Sequence, residues 1–134
     1  MSDIDEARRM IGIAGRDLRT LKGMAADVDA FPDEAFGFFA QQAVEKALKA
    51  WLALAEGRYP RTHDLGDLFG RLQAAGRAVP ERFLDLTDVV DFAVQYRYSV
   101  FEDEAGLDRD ALCGLVADFI AHVEGLVKQG GGQQ

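Results

Sequence analysis

Histidine is the side chain that gains or loses a proton near neutral pH, and this sequence carries two, His63 and His122. His63 closes the connector Arg58-Tyr59-Pro60-Arg61-Thr62-His63. There it suits proton transfer, with Arg97 or Arg58 supplying a phosphate contact. It equally suits a structural role at a helix start, where Thr62 or Asp64 caps and the imidazole bonds loop carbonyls. Arg97 falls three, four and seven residues after Val94, Ala93 and Val90, hence on or beside an apolar stripe. A guanidinium there needs a partner, either an acidic side chain or a ligand phosphate. Lys46 and Lys49 can jointly meet an anion, although Glu45, Lys46 and Lys49 together read as a solvated helix face. The catalytic candidates are therefore Arg97, His63 and Arg58. The ligand-binding candidates are Arg97, Tyr98, His63, Lys46, Lys49 and Gln42.

Other site chemistries are not written in the sequence. There is no Cys/His cluster of zinc-binding spacing, no Gly-rich phosphate loop after a strand and no nucleophile motif. The paired Glu-x-x-His of di-iron bundles is missing too. Asp118 and His122 form a lone acid–histidine pair one helical turn apart, read as exposed. Cys113 reads as a small apolar core side chain. No metal or cofactor is expected.

These residues must be positioned by helices. Ile4, Ala7, Ile11, Ala14, Leu18 and Leu21 are spaced 3, 4, 3, 4, 3, the seam of a helix that Gly23 can stop. Glycines 12 and 15 weaken its propensity and can let another helix come close. A second helix starts after Phe31-Pro32, with Asp33 and Glu34 at its positive end, and stops at Gly57. Phe36, Phe39, Ala40, Ala43, Ala47, Ala50, Trp51 and Leu54 form its apolar face, and Gln41, Gln42, Glu45, Lys46 and Lys49 the polar one. A short helix follows over about 64–75, a fourth runs from Pro80 toward Tyr98, and a last one is capped by Asp108. The predicted fold is all-α, an antiparallel four-helix up-and-down bundle with one additional short helix. It occupies residues 1–128, with 129–134 a flexible tail.

At 134 residues, 49% hydrophobic and 28% charged, the chain suits one globular domain. No apolar run approaches the ~20 residues of a membrane span, and the charged N-terminus lacks a signal-peptide stretch. With one cysteine, a reducing, cytoplasmic setting is expected. The formal charge of -8 repels a phosphate backbone, so nucleic-acid binding requires a local basic patch or a basic partner. Phe38, Leu52, Tyr59 and Tyr98 exceed what one helical stripe accommodates, and a two-fold homodimer contact would bury the surplus.

The stretch Ala40-Gln41-Gln42-Ala43-Val44-Glu45-Lys46-Ala47-Leu48-Lys49-Ala50-Trp51, followed by Tyr59-Pro60-Arg61-Thr62-His63-Asp64-Leu65, resembles the signature of HEPN (higher eukaryotes and prokaryotes nucleotide-binding) domains. Tyr96-Arg97-Tyr98 resembles that family's Ala-Arg-Tyr-Pro element. The resemblance covers nearly the whole chain in order and spacing. It implies a helical bundle that dimerises and either binds a nucleotide-like ligand or partners a minimal nucleotidyltransferase in a toxin–antitoxin-like pair. Some members are metal-independent ribonucleases that join Arg-x4-6-His residues of two subunits at a dimer cleft. Here the position five residues after Arg97 is Glu102, and no histidine follows until His122. Arg58-x4-His63 has the count, but in the connector between helices. The resemblance therefore implies a non-catalytic nucleotide-binding or nucleotidyltransferase-partner component. A ribonuclease acting on RNA and a pure protein-interaction module are the alternatives.

Overall fold

A computed structural model describes residues 3–95 and 108–132. The described residues fold into helices α1 (Asp3–Ala26), α2 (Asp33–Glu56), α3 (Leu65–Ala74), α4 (Glu81–Leu84), α5 (Leu86–Gln95) and α6 (Arg109–Gly132), with no strand among them. Arg97 and Tyr98 lie outside the described residues.

α2 is the centre of the molecule and touches α1, α3, α5 and α6. It reads as amphipathic in sequence but is buried on most sides, from Phe36 through Leu48 to Leu52. Its ends are set by backbone chemistry. Pro32, at φ −67°, precedes the first turn, and Gly57, at φ +78°, closes the last by donating its N–H to the Ala53 carbonyl at 2.9 Å. A Cβ on Gly57 would lie 2.9 Å from Asp3 Oδ2, so the start of α1 meets the end of α2. The end of α6 meets the same place, because a Cβ on Gly130 would lie 2.8 Å from Leu54 Cδ1 and 3.5 Å from Ile4 Cδ1. At the opposite pole, Arg109 opens α6 against Met24 and Asp33. α1 therefore runs opposite to both α2 and α6.

The predicted seam of α1 is buried at Ile4, Ala7, Ile11, Ala14 and Leu21, with Leu18 half-buried against the core. Three boundaries differ from expectation. α1 passes through Gly23 to Ala26, because Gly23 keeps a negative φ and one further turn buries Met24. The expected fourth helix is divided into α4 and α5 at Asp85, which stays right-handed at φ −65°, ψ −19°. α6 continues past Lys128 to Gly132, held by the close approach at Gly130 rather than leaving the helix as a tail. No helix among the described residues is long and apolar enough to cross a membrane.

Candidate functional site

The polar stripe Gln41–Glu45–Lys49 of α2 repeats every four residues and so occupies one face. The connector between α2 and α3 lies across it, which corrects the reading of that face as solvated. Glu45 is only 1% exposed and Lys49 only 8%. Burying a carboxylate is costly unless its lone pairs are matched. Here Lys49 Nζ donates to Glu45 Oε2 at 3.1 Å, and His63 Nδ1 lies 3.0 Å from Oε1 and 3.1 Å from Oε2.

A carboxylate accepts, so the bond is read as Nδ1–H donating to Glu45, and Nε2 is left without a partner among the described residues. The His63 side chain is 77% exposed. Its backbone is tethered as well, since Gln41 Nε2 donates to the His63 carbonyl at 3.3 Å. Asp64 then caps α3, its Oδ1 accepting from the Asp67 N–H at 3.2 Å, while Thr62 Oγ1 accepts from the Asp64 N–H at 3.1 Å. Of the two roles open to His63, the caps are filled by its neighbours, and the imidazole bonds a buried acid instead of loop carbonyls.

The polar chain continues past Lys49. Its ammonium sits 5.7 Å from the Tyr59 ring centroid, and the Tyr59 hydroxyl donates to Glu6 Oε2 at 3.2 Å. Glu6 also grips Arg9, whose hydrogen bond holds its carboxyl below the usual range. Burial, and then the Glu6 carboxylate, push the Tyr59 hydroxyl up. One connected line of polar groups thus joins α1, α2 and the connector.

The other candidates do not gather there. Lys46 bonds Gln42 Oε1 at 3.0 Å, so the two lysines face different partners rather than one anion. Arg58 lines a separate hollow of about 310 Å³ with Tyr59 and Arg71, which His63 does not line. His122 does not pair with Asp118, which is held by Arg82 at 3.1 Å. Its ring instead lies 5.3 Å from that of Trp51 and 5.5 Å from that of Phe83. Burial, reinforced by Arg82, lowers its pKa. Cys113 is buried as expected, and burial raises its thiol. Among the described residues, no group of three or more His, Cys, Asp or Glu is placed to hold a metal ion.

Sequence reasoning missed Arg109. It is 7% exposed, and its guanidinium contacts Asp33 at 2.7 Å, the Met24 carbonyl at 3.2 Å and the Phe31 carbonyl. It also lies 5.3 Å from the Phe36 ring centroid. The available signal was its place: a cation in the first turn opposes the helix dipole, so its partner must lie elsewhere.

The fold and this site define a small all-helical domain built around a buried acid that holds an exposed histidine. Residues 7–126 match the HEPN domain family, and the chain belongs to that family. No curated protein and no solved structure matches the chain.

Proposed function

We propose that this HEPN chain is the nucleotide-binding component of a two-component, toxin–antitoxin-like pair whose other member is a minimal nucleotidyltransferase, and that His63 meets the ligand. The observation carrying this reading is the grip of buried Glu45 on His63 Nδ1. A carboxylate held in the interior to fix an exposed imidazole presets Nε2 for an incoming polar atom. Calorimetric titration with mononucleotides tests it: the wild type binds, and His63→Ala loses most of the affinity. Absence of binding by the wild type, or equal binding by both, defeats it.

The same geometry favours one second reading. An imidazole oriented by a carboxylate, with its other nitrogen free, is also the arrangement of a general acid–base, as a ribonuclease needs. Cleavage of RNA by the wild type without added metal, abolished in His63→Ala, would establish the enzyme in place of the binding component. The finer arrangement belongs to the same proposal: an up-and-down bundle with α5 as the fourth long member, a homodimer, and a cytoplasmic setting. Support for the homodimer now rests on two exposed aromatic side chains, Phe38 at 53% and Phe31 at 38%. Leu52 is buried within the chain and Tyr59 is engaged by Glu6, so neither leaves surplus surface.

A further inference from the structure

Arg8, Gly12, Gly15 and Arg19 follow at i, i+4, i+7 and i+11, which places them in one stripe along α1. That stripe forms one wall of a groove of about 690 Å³ whose other wall is α6, through Glu124 and Lys128. Ile11 and Val127, both buried, form its floor. A Cβ added at Gly12 or Gly15 would meet nothing within 4 Å. The glycines therefore do not serve the contact between α1 and α6, although each weakens the helix relative to alanine. They leave an open notch of bare backbone in mid-groove, where a second helix can come close.

The charge of the groove opposes that of the chain. Arg8, Arg19 and Lys128 stand at its rim against Glu124 alone, in a protein of formal charge -8. The side chains of Arg19 and Lys128 make no ion pair or hydrogen bond among the described residues. Arg8 has only a loose contact with Asp5, 3.7 Å apart with both side chains exposed. We infer that this groove docks an acidic amphipathic helix of a partner protein, its small side chains over the two glycines and its carboxylates on Arg8 and Arg19. At ~1.5 Å per residue the two arginines are roughly 16 Å apart along the axis, so the matching carboxylates stand about three turns apart.

A second copy docking through its own α1 does not fit. Crossing α1 on itself at the notch sets Arg8 against Arg19 when antiparallel, and each arginine against its own equivalent when parallel. Nucleic acid fits poorly, because among the described residues no aromatic ring lines the groove to stack bases and its floor is aliphatic. The surface is separate from His63, so its success or failure is independent of the nucleotide reading.

The test uses the full chain and a fluorescent, alanine-rich helical peptide with glutamates eleven residues apart. The same peptide with lysines in their place and a short single-stranded RNA are the comparisons. Saturable anisotropy binding of the glutamate peptide is expected, with none of the lysine peptide. Arg8→Ala with Arg19→Ala should weaken it by about tenfold or more. Gly12→Leu with Gly15→Leu should abolish it, and Gly12→Ala with Gly15→Ala should weaken it while raising the thermal midpoint. That opposition of stability and binding is the signature a merely structural glycine pair cannot give. Failure of the wild type to bind the glutamate peptide, indifference to the alanine pair, or tighter binding of RNA than of peptide overturns the inference.

Discussion

Glu45 is buried with Lys49 and His63 as its hydrogen-bond partners, and of the two Lys49 is the buried one. Removing the acid strands the Lys49 ammonium under the connector, and Glu45→Ala should lose about 3–5 kcal/mol in denaturant unfolding. His63→Ala, which leaves the Glu45–Lys49 pair intact, should lose much less, so ligand effects in that variant can be read without a folding defect. His122 gives a prediction in pH. Its folded pKa lies below the unfolded value of ~6.5, so the unfolded chain binds the proton more readily. Its contribution is present above the unfolded pKa and is lost as pH falls from there through the folded pKa. His122→Phe keeps an aromatic ring between Trp51 and Phe83 and should flatten that part of the stability profile. An unchanged slope in the variant would show that His122 is not the group responsible.

At the scale of elements, the same substitution should act in opposite directions at different glycines. Gly12→Ala and Gly15→Ala should each stabilise by about 1 kcal/mol, since the helix is right-handed there and the space is open. Gly57→Ala should destabilise by about 1 kcal/mol, because its φ is positive and an added Cβ would press on Asp3 Oδ2 at 2.9 Å. Trp51, 4% exposed and 6.3 Å from the Phe119 ring centroid, should lose about 3–5 kcal/mol on change to alanine. Midpoints of urea unfolding check all four. Helix identity was legible because apolar periodicity and Pro/Gly punctuation are local signals. The break at Asp85 was not, since no proline or glycine marks it. Nor was the run of α6 through Gly130, where glycine is read locally as a stop but serves a close approach to Leu54 and Ile4.

At the scale of the molecule, a homodimer is expected, with Phe38 in its contact. Solution scattering at micromolar concentration should give twice the chain mass, and Phe38→Glu should return it to one. A wild-type monomer would remove this part of the reading. The candidate site was only half legible in the sequence for a related reason. His63 and Lys49 could be picked out by type, whereas Gln42 was singled out instead of Gln41, and Glu45 was read only as part of a solvated face. The burial of Glu45 and Lys49 depends on where the connector folds back, and helical spacing along α2 carries no trace of that. Arg109 was hidden for the same reason, its partners lying 76 to 85 residues away in the chain.

That separation has a kinetic consequence. α1 and α2 are neighbours in sequence and share the most extensive contact in the molecule, so they can associate early with little loop entropy. The Arg109 bonds to Met24, Phe31 and Asp33 require α6 to arrive from the far end of the chain, and they are expected to close after the main folding barrier. Arg109→Ala should therefore speed unfolding while leaving the refolding rate nearly unchanged. In a chevron plot only the unfolding limb should move. With that outcome the guanidinium would be a latch on the lifetime of the native state, setting how long the folded domain persists between openings rather than how fast it forms.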